Sequence, residues 1–281
     1  MIEVLKTGFL TSIQDSGRYG HRHHGVPISG AMDEVSANMA NALLGNNKED
    51  AVMEITLSGP ELLFESDASI AISGAFMSPT INEQELLNDE VYHVTAGSIL
   101  KFGRPRRGIR CYLAVLGGFK TVRVLGSRSW YSSVTPVDRL SVGMHLPLAD
   151  KPVLKKKPKL PVNSAHNYNS NIIEVEKGPE FDLLSKHQKA QLLNGIFNIA
   201  KENNRMAYQL KQQILKHSYS ILTSSTLPGT VQLTPSGRLI VLMKDAQTTG
   251  GYPRILQLTD AAIALLSQKS TSEEIDFVLK Q

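Results

Sequence analysis

Within ten residues, Lys244-Asp245-Ala246-Gln247-Thr248-Thr249-Gly250-Gly251-Tyr252-Pro253 gathers a carboxylate, an amide, two hydroxyls and a phenol. The carboxylate accepts hydrogen bonds, the amide both donates and accepts, and each hydroxyl does the same. Gly250 and Gly251 lack Cβ, so the backbone there can turn sharply or approach a ligand closely. Pro253 fixes its own φ and biases Tyr252 toward extended backbone. Such a cluster suits a small polar substrate carrying amide or carboxylate groups. A Gly-Gly turn between two strands would present the same residues with no ligand at all.

Other side chains with chemical potential lie early in the chain. Gln14-Asp15-Ser16-Gly17-Arg18-Tyr19-Gly20 is a polar turn. Asp15 and Arg18 are spaced to pair across it, or to point into a site. His21, His23 and His24 are clustered imidazoles, which can hold a metal. No carboxylate or cysteine stands at recognisable ligand spacing from them, so an exposed loop is expected and no metal site is assigned. Asp33 stands where a helix begins, as a cap or as a group facing a ligand. Glu54 lies within an apolar run, where an acid either faces water or has a specific partner. Arg205 is isolated among small and polar residues at Asn203-Asn204-Arg205-Met206.

The elements that must position these groups are mostly short strands. Leu239-Ile240-Val241-Leu242-Met243 has the length and β-branched content of a buried strand feeding Lys244, although periodicity alone does not exclude a buried helix. Ile2–Leu5 and Ser12-Ile13 read as strands. The runs Val52–Leu57, Glu61–Phe64, Ile70–Ile72, Val91–Val94, Ile99–Phe102 and Arg110–Leu116 are cut by Gly, Pro, Asn and Asp, a spacing that argues for an antiparallel sandwich or barrel. A helix is predicted over Asp33–Leu44, with Val35, Met39, Ala40, Leu43 and Leu44 on one face. Phe181–Asn198 contains a helical stretch. Thr259 or Asp260 caps another helix, and Ile172–Val175 and Ile275–Leu279 complete the strands. Gly-Pro-Glu occurs at both Gly59-Pro60-Glu61 and Gly178-Pro179-Glu180, a faint hint of two similarly built halves.

A chain of 281 residues has room for two domains or one large one. Its 30 Lys and Arg against 26 Asp and Glu give a net charge of only +4. The excess collects around Lys155-Lys156-Lys157, in a Lys- and Pro-rich stretch that reads as a solvated linker rather than a nucleic-acid surface. The single cysteine, Cys111, rules out an intrachain disulfide and fits a reducing cytoplasm. Its apolar neighbours make it a buried thiol rather than a nucleophile. No secretory leader is expected, and no apolar run approaches the ~20 residues of a membrane helix. The Gly-Lys-Ser/Thr loop and the Gly-x-Gly-x-x-Gly pattern are both absent, so neither common nucleotide-binding device is available.

Several phrases occur in one order: Gln14-Asp15-x-Gly17-Arg18-x-Gly20, Ser29-Gly30-Ala31-Met32-Asp33, Ala40-Asn41-x-Leu43-Leu44-Gly45-Asn46, Glu54-Ile55-Thr56-Leu57, Tyr112-Leu113-Ala114-Val115-x-Gly117-Gly118, Gly126-Ser127, Pro228-Gly229-x-Val231-Gln232-Leu233, and Asp245 through Arg254. Together they resemble the family of 5-oxoprolinase C subunits, also called the kinase-inhibitor antagonist or allophanate hydrolase subunit 2 family. The chain also looks like the carboxyltransferase part of urea carboxylase. The resemblance implies a mostly β fold of two cyclophilin-like β-barrels, here placed at 1–155 and 172–281 with a linker at 156–171, and with terminal strands free to be exchanged. It implies partners, the B and A subunits of 5-oxoprolinase, and an ATP-dependent opening of the 5-oxo-L-proline lactam to L-glutamate. ATP, with Mg, would belong to the assembled complex, and no cofactor is expected on this chain alone. Two departures stand out: Val137-Asp138-Arg139 with Gly143-Met144 replaces a Gly-rich segment, and Arg205-Met206-Ala207 replaces Arg-Met-Gly.

The function so implied places Asp245 and Arg18 as catalytic groups. Substrate contacts would come from Gln14, Asp15, Asp33, Arg205, Gln232, Gln247, Thr248, Thr249, Gly250 and Tyr252. An amide is resonance-stabilised. Phosphorylating its oxygen would make a better electrophile, the developing charge would meet Arg18, Arg205 and backbone N–H groups, and Asp245 would orient the ring N–H or act as base. Two rivals remain: a carboxyltransferase-type subunit acting on urea- or allophanate-like amides with a separate biotin carrier, and a non-enzymatic partner that binds and antagonises a kinase inhibitor.

Overall fold

The computed structural model describes residues 1–150, 153–154, 168–219 and 221–280. As expected, the described residues are mostly β, with three α-helices. Contacts divide the chain into two compact units, Met1–Tyr19 with Ser29–His166, and Gly20–Ile28 with Asn167–Gln281. Residues 156–167 of the expected linker lie outside the described residues, as do Lys155, Lys156 and Lys157.

The first unit comprises β1 (Ile2–Lys6), β2 (Leu10–Gln14), α1 (Glu34–Leu43), β3 (Val52–Thr56), β4 (Glu61–Phe64), β5 (Ala68–Gly74), β6 (Thr80–Ile81), β7 (Gln84–Glu85), β8 (Val91–Val94), β9 (Ile99–Lys101), β10 (Arg110–Val115) and β11 (His145–Leu146). They form a six-stranded sheet, β11-β1-β4-β9-β6-β7, and a five-stranded sheet, β2-β3-β10-β5-β8. Alternation explains the central strand. Cys111, Leu113 and Val115 enter the core with Ile2, Val4, Leu62, Phe64 and Leu100 of the other sheet. Tyr112 and Ala114 point the other way and pack with Ala37, Ala40, Leu43 and Leu44 on and beside α1. A strand covered on both faces must be apolar nearly throughout, which is why residues 110–116 carry no clean period. In place of the Gly-rich segment, the 139–146 stretch is stitched to the sheets by Leu140 N–H to Thr11 O at 2.8 Å and Gly143 N–H to Val4 O at 2.9 Å.

The second unit comprises β12 (Ile172–Lys177), α2 (Lys186–Asn194), β13 (Phe197–Asn203), β14 (Ala207–Gln213), β15 (Ser224–Ser225), β16 (Thr230–Leu233), β17 (Arg238–Leu242), β18 (Thr249–Gly250), β19 (Arg254–Leu258), α3 (Asp260–Ser267) and β20 (Glu274–Leu279). Seven strands close a barrel, β12-β19-β16-β17-β14-β13-β20. Closure leaves the barrel no unpaired edge, and it is achieved by the parallel β12–β20 pair. β15 and β18 form a separate two-stranded flap. The predicted helical stretch at 181–198 resolves into a short 3₁₀ turn at Phe181–Leu183, the helix α2, and the start of β13. Ser185 and Gln188 cap α2 reciprocally and Gly195 ends it in extended backbone, after which Phe197 turns into the barrel core. Ala207, which replaces the Gly of Arg-Met-Gly, opens β14 in extended backbone, so the added Cβ brings no left-handed strain.

Candidate functional site

The residues singled out by type and spacing fall into both units. In the first unit, β2 ends in Gln14 and delivers Asp15. Four donors converge on the Asp15 carboxylate: Ser127 Oγ at 2.6 Å, Ser129 Oγ at 2.7 Å, Arg128 N at 2.6 Å and Gly17 N at 2.8 Å. The Arg18 side chain is only 1% exposed. It donates to Ser129 O at 2.5 Å, Ser29 Oγ at 3.3 Å and Val124 O at 3.5 Å. Asp15 and Arg18 thus meet through Ser129, whose hydroxyl serves one and whose carbonyl serves the other. Gln14 Nε2 donates to Ser12 Oγ at 2.9 Å and Trp130 O at 3.1 Å. Gly30, at φ 88°, lies so close to the Asp15 backbone that a Cβ would crowd it, and this approach lets Ala31 N–H donate to Asp15 O at 3.1 Å.

Asp33 caps α1, its carboxylate accepting from Val35 N at 3.2 Å, Ser36 N at 3.0 Å and Ser36 Oγ at 2.6 Å. Its own N–H donates to Tyr112 Oη at 2.8 Å. That phenol donates in turn to Glu54 Oε2 at 2.8 Å, which also accepts from Met32 N at 2.8 Å. Burial, then the Glu54 charge, pushes the Tyr112 phenol well above its usual range, so it is a firm donor. The acid inside β3 therefore has a specific partner. A cavity of about 160 Å³ lies nearby, lined by Asp15, Ser16, Tyr19, Glu34, Asn38 and Asp50 among others.

In the second unit, β17 delivers Asp245 against the turn between β13 and β14. Arg205 sits in that turn and grips Asp245 with two hydrogen bonds, Nε to Oδ2 at 2.7 Å and Nη2 to Oδ1 at 3.2 Å. The Asp245 N–H donates back to Arg205 O at 2.8 Å. Both side chains are about nine-tenths buried, 10% and 9% exposed. Beyond them the chain forms β18, held from three sides. Thr226 Oγ1 donates to Gln247 O at 2.6 Å, and Thr226 N–H to Thr248 O at 3.1 Å. Arg22 donates to the carbonyls of Thr226 and Thr248. Burial lowers the Arg22 pKa from its usual value. Arg254 Nη1 donates to Ser225 O at 2.8 Å, while its Nε and Nη2 clasp Glu180 at 2.9 and 2.7 Å. The Arg254 hydrogen bonds hold the Glu180 carboxyl below its usual range.

Gln232, on β16, lies beneath this flap and is 1% exposed. Gln247 Nε2 donates to Gln232 Oε1 at 3.4 Å. The other two amide atoms, Gln232 Nε2 and Gln247 Oε1, are buried and have no hydrogen-bond partner among the described residues. Gly250 lies directly against Gln232 Nε2, and a Cβ at that position would overlap it. Thr249 is exposed, and Tyr252 is 42% exposed.

The structure thus brings Arg205, Gln232, Asp245, Gln247, Thr248, Thr249 and Gly250 around one end of the second barrel. Gln14, Asp15, Arg18 and Asp33 belong to hydrogen-bond networks of the first unit. Arg22, Thr226 and Glu180 join the flap without having been singled out. Arg22 stands among the histidines that drew attention to metal chemistry, and nothing in its neighbours points to a threonine carbonyl far along the chain. Among the described residues no three His, Cys, Asp or Glu side chains converge as metal ligands, and no helix is long and apolar enough to cross a membrane. Cys111 is fully buried, and burial pushes its thiol pKa up.

A family model described as carboxyltransferase domain, subdomain A and B, matches residues 24–279. The chain is 32% identical to the 5-oxoprolinase C subunit of Escherichia coli over 99% of its own length and 91% of that protein. It is 31% identical to the protein of the same name from Haemophilus influenzae over 99% and 90%. The crystal structure of the urea carboxylase of Kluyveromyces lactis superposes on the whole chain with a TM-score of 0.89 at 28% identity, the chain covering 27% of that protein. The chain spans only part of other solved structures it matches, 56% of TTHA0988 and 19% of the Kluyveromyces lactis urea amidolyase.

Proposed function

The chain belongs to the carboxyltransferase domain family, subdomain A and B, and on that premise we propose that it serves as the C subunit of an ATP-dependent 5-oxoprolinase, acting with the A and B subunits to open the 5-oxo-L-proline lactam to L-glutamate. The observation that carries this reading is the likeness to two proteins of that name over 99% of the chain and nine-tenths of theirs. The geometry agrees with an amide substrate. Beneath the flap lie an amide donor and an amide acceptor with no partner among the described residues.

Opening a lactam breaks a C–N bond with partial double-bond character and loads negative charge on its oxygen. In this reading Gln232 and Gln247 bind and orient the substrate, with Thr248, Thr249, Gly250 and Tyr252 around it. Asp245 and Arg205 act through what they hold. They grip each other through two hydrogen bonds, and together they set the register of the residues beyond Asp245. Arg18, similarly, spends its donors on Ser29, Val124 and Ser129, and with Asp15 it fixes the loops of the first unit. The chain carries no Gly-rich phosphate loop, so ATP with Mg is assigned to the assembled complex and no phosphoryl step is routed through these side chains.

The test is to mix this chain with candidate A and B subunits and measure glutamate from 5-oxoproline with and without ATP. ATP-dependent glutamate that requires this chain is the expected result. Its absence overturns the assignment. A second reading, carboxyl transfer to a urea-like amide, draws support from the superposition on urea carboxylase. Consumption of urea with a biotinylated carrier, in place of 5-oxoproline, would select it.

A further inference from the structure

Two side-chain amides that face each other can close two hydrogen bonds, each donating to the other. Gln232 and Gln247 close one, Nε2 of Gln247 to Oε1 of Gln232 at 3.4 Å, and leave the other open, with Gln232 Nε2 as donor and Gln247 Oε1 as acceptor. Exchanging O and N in both side chains reverses the roles and leaves one donor and one acceptor still open. Unmade hydrogen bonds of this kind are costly in a folded protein and call for an explanation.

In the structure the flap covers this edge closely. Gln232 is 1% exposed. The position above its Nε2 is occupied by Gly250, where any side chain would collide with the amide. The flap that covers the pair is only two residues long on each strand. Arg22, Arg254 and Thr226 hold it through its backbone carbonyls, leaving the open amide atoms unused.

We propose that the open edge of the Gln232–Gln247 pair is a subsite for the cis –CO–NH– edge of a cyclic amide, reached when the β15–β18 flap lifts. The proposal rests on the amide-hydrolase reading above and specifies which chemistry of the substrate is recognised. A lactam or a cyclic urea carries a carbonyl acceptor and an N–H donor side by side on one edge. The carbonyl accepts from Gln232 Nε2, and the N–H donates to Gln247 Oε1. A trans amide presents these groups on opposite sides and satisfies only one of the two.

The experiment is a titration of the isotopically labelled full chain with 2-pyrrolidone, 2-imidazolidinone and N-methyl-2-pyrrolidone, following the side-chain amide resonances of Gln232 and Gln247. The first two probes are expected to move both resonances, and N-methylation to weaken binding at least about ten-fold. Gln232→Met and Gln247→Met, apolar and close in shape, should each weaken 2-pyrrolidone at least about ten-fold. Each single change removes one open group but strands the atom it was bonded to, so it is the double variant, which removes all four amide atoms, that should keep the thermal midpoint. Whichever of the lactam and the cyclic urea binds more tightly, the edge is supported and its source identified. Unmoved resonances, equal binding of the N-methyl probe, or Met variants that bind as the wild type overturn the subsite. Glutamate release by assembled subunits that survives Gln232→Met unchanged overturns it too, while leaving the proposed function standing. Moved resonances with no glutamate from any assembly overturn the function and leave the subsite.

Discussion

Asp245→Asn is the most direct probe of how the second unit holds its site. The wild-type carboxylate meets the Arg205 guanidinium at 2.7 and 3.2 Å, with side chains only 10% and 9% exposed. The asparagine keeps the shape and one acceptor but turns an amide donor toward a guanidinium that has no acceptor to offer. The buried guanidinium then loses the Asp245 carboxylate, and breaking one half of such a pair costs about 3–5 kcal/mol. For a chain of this size that corresponds to a fall in melting temperature on the order of 6–20 °C, at roughly 2–4 °C per kcal/mol. Because both groups act on each other, Arg205→Met should cost a similar amount. Arg205→Met combined with Asp245→Asn should cost less than the two single losses together, with a coupling of about 1–3 kcal/mol. Urea unfolding of the four proteins, with slopes compared, gives the cycle. An Asp245→Asn protein within about 0.5 kcal/mol of wild type, or strictly additive losses, would refute the reasoning and free Asp245 for a direct role toward substrate.

Three further outcomes concern the flap and its supports. Arg22→Met removes charge-assisted hydrogen bonds to Thr226 O and Thr248 O, each worth about 1.5–3 kcal/mol. Amide exchange at Thr226 should therefore quicken by about ten-fold or more while Val231, in the barrel, is unchanged; equal exchange at both would remove Arg22 from the flap. Gly250→Ala drives a methyl into Gln232 Nε2 and should destabilise by about 1–3 kcal/mol, read by urea unfolding, a neutral result meaning that the flap has room to spare. Glu180 has its pKa lowered by the Arg254 hydrogen bonds, so its contribution is complete above the unfolded value of about 4.3 and is lost as pH falls through the lower folded value. Wild type and Glu180→Gln should then differ in unfolding midpoint near pH 7 and converge in acid; parallel curves would show that the carboxylate contributes nothing.

Local rules carried a long way here. Asp33 before an apolar face at three- and four-residue spacing is a helix start in any context, and the structure has it accepting from Val35 and Ser36. Thr259 caps α3 in the same manner. The short runs between Gly, Pro and Asn became strands because a half-buried pleat selects branched and aromatic residues locally. The stretch 181–198 does contain its helix, α2, and leucine content alone does not say where α2 ends and the strand beginning at Phe197 starts. The barrel rather than helix propensity decides the conformation after Gly195.

What the chain determined by itself is where polar groups are delivered: an acid and an amide after a buried strand, a turn bearing an arginine, a glycine with no side chain. What only the tertiary structure decided is whom they meet. Asp245 finds Arg205 across 40 residues, Gln247 finds Gln232 across 15, and Arg22 finds Thr226 across 204. A hydrogen bond depends on distances of about 3 Å. Spacing along a strand sets such distances for near neighbours only, and for the rest they emerge when the barrel closes and its strands take their register.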